Sequence, residues 1–387
     1  MRHLTYKLYE TNENSFELMI THIFDACRPE GIPVRWVLFG AAKDNDSYVE
    51  QRDIARKEVL RRFGKEAPVF SYVAQAPCEV GLTLEVHEVV LEKTEQIHYK
   101  KSGDTCYITV ESPQAKRLFV GGVQGDVSGN NFQQQAEEVF AKLGTLMRQE
   151  QLPLESIVRQ WNYIERITET ETSGRQRYQI FNDVRSRFYQ QSTWGNGYPA
   201  ATGIGTQAGG VLIGLDAFYS VGKGSETEIV RVDNPLQVAA HRYSQQVLIG
   251  NKDSLLAEKT TPKFERAKAI SYGDEAMAYI SGTAAIRGEE SLREADITRQ
   301  TIMTCENIEY LISAANLRQS GMSVQKDASL SHLRIYLKHP HDRPAVEQIL
   351  KKRYGSLPII FMKADICRDE LLIEMEGTAY FQLCNKV

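Results

Sequence analysis

The chain has no Cys-x-x-Cys pair, no basic run, and no uninterrupted apolar stretch of the ~18 residues that a membrane-spanning helix needs. Each absence removes a class of protein. The six cysteines, Cys27, Cys78, Cys106, Cys305, Cys367 and Cys384, lie far apart, which indicates neither a zinc site nor a disulfide framework and leaves most of them as buried thiols. The start, Met1-Arg2-His3-Leu4-Thr5-Tyr6-Lys7, leads into no apolar core of signal-peptide length, so a cytoplasmic location is expected. A formal net charge of -4 without a basic run argues against a dedicated binder of nucleic acid or membrane surface and leaves small anions as ligands. Gly203-Ile204-Gly205 and Gly209-Gly210 do not open a helix with Gly-x-Gly-x-x-Gly spacing, and no Walker pattern occurs, so no nucleotide is implied. The eight histidines form no ligand set, and His339 and His341 merely flank Pro340 in a turn. Neither a cofactor nor a metal is expected.

What the sequence does have is an internal repeat. Phe119-Val120-Gly121-Gly122 returns as Tyr279-Ile280-Ser281-Gly282, and Val211-Leu212-Ile213-Gly214-Leu215-Asp216 returns as Leu371-Leu372-Ile373-Glu374-Met375-Glu376. The two lags agree, 282 − 122 = 160 and 374 − 214 = 160. Between these landmarks each copy carries the same elements in the same order. An amphipathic helix comes first, with Phe132, Ala136, Val139, Phe140, Leu143 and Met147 on one face, and Ile302, Cys305, Ile308, Leu311, Ile312 and Ala315 in the later copy. A short strand follows, Val158 to Tyr163 or Leu333 to Lys338. A second helix then runs through Phe181 to Tyr189 or Pro344 to Tyr354, and a strand pair follows Pro199 or Pro358.

The first hundred residues read as a third, truncated copy. Val34 to Phe39 stands for the short strand, Val49 to Phe63 for the second helix, and Pro68 to His87 for the last strand pair, with Glu85 where the final copy has Glu374. The expected fold is therefore α+β, three tandem units forming an intrachain pseudo-trimer whose sheets pack centrally and carry helices on one face. The units are placed at 1–112, 113–225 and 226–387. Segments near 88–115 and 218–270 read as connectors, the second with turn-rich Gly222-Lys223-Gly224-Ser225 and Asp233-Asn234-Pro235.

The order of the units and four stretches, Arg159-Gln160-Trp161-Asn162-Tyr163, Arg177 to Arg185, Tyr198-Pro199-Ala200-Ala201-Thr202-Gly203-Ile204-Gly205 and Asn234 to Val238, resemble the RidA/YjgF superfamily. Its fold is chorismate-mutase-like, and its simple members are trimers with clefts between subunits. With Ala364-Asp365-Ile366-Cys367-Arg368 and Glu374 added, the chain more specifically resembles the chorismatases, the chorismate-cleaving branch. The resemblance covers roughly residues 115–385. It implies one small-molecule substrate, chorismate, and no nucleic-acid or membrane partner; whether the chain is a monomer or a homo-oligomer stays open. Simple deaminases of the superfamily carry an arginine just after the proline preceding the last strand pair. Here Ile359 and Ile360 follow Pro358, which argues against imine hydrolysis.

The resemblance places Glu374 as the acid that protonates the vinyl methylene of chorismate, starting release of pyruvate; its counterpart in the middle copy is Gly214. Cys367, seven residues earlier, matches the family members that make 3-hydroxybenzoate, and otherwise reads as a small buried hydrophobe. If so, hydrolysis to a dihydroxycyclohexadiene carboxylate becomes the expected outcome. Two substrate carboxylates call for guanidinium forks, taken here as Arg185 ahead of Arg177, with Tyr178 beside them. Arg159, with counterparts Arg35 and Arg334, suits a role common to all copies. Tyr198, Thr202 and Gly203 lie in the segment most like the family, as ligand contacts or as a tight turn. Lys363 is a second cation for the cleft or an exposed strand residue, and Gly282 shapes the pocket floor. The alternatives to a chorismatase are a noncatalytic binder of small aromatic or keto acids and a RidA-type imine deaminase.

Overall fold

The computed structural model describes residues 4–128, 131–221, 227–272 and 275–384. The first unit comprises β1 (Thr5–Thr11), α1 (Phe16–Ala26), β2 (Ile32–Gly40), α2 (Asn45–Phe63), β3 (Val69–Val73) and β4 (Leu82–Val89). The second has β5 (Gln96–Ser102), β6 (Thr105–Glu111), β7 (Ala115–Gln124), α3 (Phe132–Gln149), β8 (Ile157–Glu165), α4 (Arg177–Tyr189), β9 (Ala200–Thr206) and β10 (Val211–Ser220). The third has β11 (Glu228–Val232), β12 (Ala267–Tyr272), β13 (Glu275–Ala284), the small pair β14 (Ile286–Arg287) and β15 (Glu290–Ser291), α5 (Ile297–Leu311), α6 (Ala314–Gln319), β16 (Ser329–Leu337), α7 (Arg343–Tyr354), β17 (Ile359–Lys363) and β18 (Ile373–Gln382).

The three main sheets run β1-β4-β2-β3, β5-β6-β7-β10-β8-β9 and β11-β12-β13-β18-β16-β17. Their last four strands correspond one to one, and in each only the final pair is parallel, joined by a crossover through the second helix. The fold is thus an α+β pseudo-trimer of three related units. Strand registers make the equivalence exact at the residue level: Arg35 lies opposite His87, Arg159 opposite Asp216 and Arg334 opposite Glu376.

Each unit buries its helices on one face of its own sheet. In the second, the apolar stripe Phe132, Ala136, Val139, Phe140, Leu143 and Met147 meets Leu118, Ile164 and Ile213, and Asn131 caps α3 by accepting from the Gln134 amide at 3.0 Å. In the third unit the stripe breaks: Ser313 caps a new helix, so Leu317 faces inward and Ala315, placed on the buried face by periodicity, is exposed. Helices α2 and α7 both stop at glycines with positive φ, Gly64 at 57° and Gly355 at 66°, where a side chain would be strained.

The opposite sheet faces form a shared interior, with Phe39, Trp161, Tyr163, Tyr336 and Met362 from all three units in one apolar cluster. Two expectations about boundaries need correction. The segment near 88–115 is not a connector, because β5 and β6 pair with each other and then with β7, so the second sheet begins at Gln96 rather than after residue 112. Within 218–270, β11 and β12 extend the third sheet, and Gly222 to Ser225 lie outside the described residues. Among the described residues no helix is long and apolar enough to cross a membrane.

Candidate active site

The central interior holds a ring of buried charge. Arg35, Arg159 and Arg334 all stack on the Trp161 indole, at 4.8, 4.8 and 5.3 Å from its ring centre. Each reaches an acid of the next unit: Arg35 to Asp216, Arg159 to Glu376, and Arg334 to Glu85, with Nε 2.9 Å from Oε2. Glu376 also accepts from Arg334 at 2.9 Å, the Tyr336 hydroxyl at 2.9 Å and the Trp161 indole at 3.1 Å. Burial alone would raise its pKa, but Arg159 and Arg334 outweigh that and hold Glu376 below the ordinary carboxylate value.

Glu374, two residues earlier on the same face of β18, is placed differently. Its side chain is buried at 5% exposure and has no hydrogen-bond or ion-pair partner among the described residues. Burial first, then the charge of Glu376, push its pKa up to about 8, so it carries a proton at neutral pH. The carboxyl opens into a cavity of about 60 Å³ between the second and third units. The floor is Ala201 and Gly203 of β9 with Gly282, which sits in a break of register between β13 and β18. A methyl group on Gly282 would come within 2.0 Å of a Glu374 oxygen, so only glycine leaves the acid its position. Tyr178, Gln179 and Asn182 of α4 form one wall, and Cys367, Arg368 and Leu371 another. The roof is the long segment between β11 and β12, through Tyr243, Leu248, Ile249 and Phe264. Loops of this length without strands of their own are typically functional covers.

The structure therefore brings together Glu374, Cys367, Tyr178, Gly203 and Gly282. Burial and the neighbouring Glu374 push the Cys367 thiol up to about 12, so it is neutral. Arg185 lies against the wall, fully buried, donating to Asn182 Oδ1 at 2.6 Å and stacked on Phe181, with its Nε unpartnered. Thr202 lies beneath the floor: its hydroxyl binds Glu376, accepts from Arg159 at 2.7 Å and from the Gly282 amide at 3.0 Å, which fixes the bulge. Tyr198 stands beside the cavity, stacked on Tyr189 and 6.0 Å from the Lys263 ammonium.

Two expected contacts are not in the site. Arg177 points into a surface acidic cluster, with Nε 2.7 Å from Glu171 and further contacts to Glu165 and Glu169. Lys363 is exposed on β17, with its backbone amide bonded to Ala76. In their place the fold supplies three cations that sequence reasoning missed. Arg266 donates to the Tyr243 hydroxyl at 2.7 Å, and Arg368 stacks on the same ring from 5.3 Å. Burial, then Arg185, lowers the pKa of Lys263. Arg185, Lys263, Arg266 and Arg368 have no ion-pair partner among the described residues, an arrangement that favours an anionic ligand. The signal was the alternation Phe264-Glu265-Arg266-Ala267-Lys268-Ala269, a strand pattern within the supposed connector.

Comparison with known proteins gives this geometry relatives. A model described as chorismatase FkbO/Hyg5-like, N-terminal, matches residues 84–216. A 3-hydroxybenzoate synthase of Streptomyces hygroscopicus is 31% identical over 235 residues, 59% of this chain and 64% of that one. The chain is thus similar to chorismatases over part of its length. A chorismatase of Streptomyces rapamycinicus is 29% identical over 248 residues, 62% of this chain, and the matches span only 64% and 66% of the lengths of these two relatives. A crystal structure of a chorismatase superposes with a TM-score of 0.71 at 20% identity, covering 98% of this chain and all of that one, which shows the shared fold. The matched model stops at Asp216, so Glu374 and Cys367 lie beyond it.

Proposed function

We propose that the chain cleaves the enol-pyruvyl ether of chorismate to pyruvate and 3-hydroxybenzoate, with Glu374 as the proton donor. The observation that carries this reading is a buried, protonated and unpartnered carboxyl facing a cavity that Arg368 lines, with Arg185 and Arg266 behind its lining residues Asn182 and Tyr243 and without acid partners among the described residues. The names of the relatives, two chorismatases and a 3-hydroxybenzoate synthase, point the same way.

Glu374 gives its proton to the vinyl methylene, which becomes the methyl of pyruvate and leaves an oxocarbenium at the ether carbon. Arg185 and Arg266, with Lys263 and Arg368 nearby, hold the two substrate carboxylates. Tyr178 and Asn182 orient the ring. Pyruvate and 3-hydroxybenzoate together contain the atoms of chorismate, so no water is consumed. The ring hydroxyl adds to the oxocarbenium carbon, and its bond to the ring breaks as the adjacent ring proton leaves to Glu374, which gives an aryl hemiketal. The hemiketal then collapses, breaking the former ether bond between the pyruvyl carbon and the ring oxygen as the hemiketal proton passes to that oxygen, and pyruvate and the phenol separate. Aromatisation thus returns the acid to its starting state. A neutral Cys367 thiol beside the acid occupies a place where water would otherwise capture the cation and give the diol. A cavity of about 60 Å³ is smaller than chorismate, so the roof between β11 and β12 moves aside for entry.

The test is incubation of the purified chain with chorismate, followed by chromatography and mass spectrometry of the products. Pyruvate and 3-hydroxybenzoate in equal amounts are expected. Pyruvate with a non-aromatic diol would retain Glu374 and remove Cys367 from its role, and absence of pyruvate would overturn the reading.

A further inference from the structure

The active cleft has a counterpart one unit earlier in the chain. There β3 and α2 of the first unit face β7 of the second, as β9 and α4 of the second face β13 of the third. The floors match in detail: the Gly122 amide donates to Ser71 Oγ at 2.9 Å, as the Gly282 amide does to Thr202 at 3.0 Å. The acid is missing, because the position of Glu374 is Gly214. A methyl group there would sit 3.0 Å from the Arg35 guanidinium, which fills the space a carboxyl would need. Its volume is about 460 Å³, within the size range of small-molecule sites.

Its lining has a definite chemistry. Phe70 and Tyr72 of β3, with Tyr99 and Tyr107 of the β5–β6 hairpin, present aromatic surface. Five cations, Arg52, Arg56, Lys65, Lys100 and Lys101, line it against one acid, Asp104, which Lys142 already holds at 2.9 Å. Arg52 and Lys100 are paired with Asp53 and with Glu111 and Glu150. Arg56 has only the Asp104 carbonyl at 3.4 Å, and Lys65 and Lys101 have no ion-pair partner among the described residues. We propose that this cleft is a noncatalytic binding site for a small aromatic carboxylate, whose ring lies among the tyrosines and whose anionic group meets Arg56 and Lys101.

Isothermal titration of the full chain with 3-hydroxybenzoate, and separately with inorganic phosphate, tests this without relying on turnover. The aromatic acid is expected to occupy a site that Arg56→Glu with Lys101→Glu weakens at least tenfold, that Arg56→Lys retains, and that Arg185→Ala leaves unchanged. The double variant is expected to keep the wild-type kcat on chorismate and an unchanged circular dichroism spectrum. A single site insensitive to the charge reversals would overturn the proposal, as would phosphate binding there as tightly as the aromatic acid. Loss of chorismate cleavage in the wild-type chain would bear on Glu374 and not on this cleft.

Discussion

The three interfaces between units start from the same parts and end differently. Between the first and second units Arg35 pairs with Asp216, and the position two residues earlier is Gly214. Between the second and third, Arg159 pairs with Glu376, and the earlier position, Glu374, is left free. Between the third and first, the pairing position is His87, so Arg334 takes the earlier residue, Glu85, instead. Burial opposes ionisation of Glu85, but Arg334 and His87 hold it well below the ordinary value, whereas the equivalent Glu374 rises to about 8. A glutamate at this strand position is left unpaired, with its pKa raised, only where a second carboxylate already satisfies the arginine. Glu376 is, on this comparison, what leaves Glu374 unpaired and protonated.

The comparison breaks most sharply at Glu374 itself. Glu374→Gln should lower kcat for pyruvate release about 10³-fold while ligand affinity stays within about tenfold, read by steady-state kinetics and calorimetry. Glu376→Gln should free Arg159 to pair with Glu374 and so convert the active interface toward the Glu85 arrangement. An approximately 10²-fold loss of kcat is expected, with the alkaline limb of the pH profile, near pH 8 in the parent, moving to lower pH. An unmoved limb would show that Arg159 does not capture the acid. Arg185→Ala should raise KM by about 10- to 100-fold, the loss of a charge-assisted hydrogen bond, with a smaller effect on kcat.

Stability gives a finer test with a definite sign. The folded pKa of Glu374 lies above its unfolded value, so the native state binds the extra proton between about pH 4.5 and 8 and loses stability as pH rises through that window. Glu374→Gln should therefore stabilise the chain by on the order of 2–4 kcal/mol at pH 9 and have little effect at pH 4, measured by thermal unfolding across pH. The smallest effects are expected at Arg177→Ala and Lys363→Ala, which lie outside the cavity lining and should leave kcat/KM within about twofold.

Much of this arrangement was legible in the sequence because the repeat preserves strand position. A lag of 160 residues places Glu374 opposite Gly214 without any structure, and Arg35, Arg159 and Arg334 share one register. What could not be read was which partner a charged side chain finds. Arg177 and Arg185 lie on the same helix, yet one meets surface glutamates and the other only Asn182. Lys363 follows Met362 on an edge strand, and the alternation of faces sends the methionine inward and the lysine out. The β5–β6 hairpin escaped notice because its polar residues, including Lys100 and Lys101, hide the strand alternation, and the roof has no period at all.

The ring of arginines also dictates an order of assembly. Arg334 and Glu85 are 249 positions apart, so the N-terminal sheet emerges during synthesis with a carboxylate whose guanidinium has not yet been made. The second sheet can close on the first at once through Arg35 and Asp216, but the circuit stays open until the final third of the chain arrives. Long-range closure of this kind is slow and leaves sheet surface exposed meanwhile. Truncation before β16 would therefore cost the first unit as well as the last.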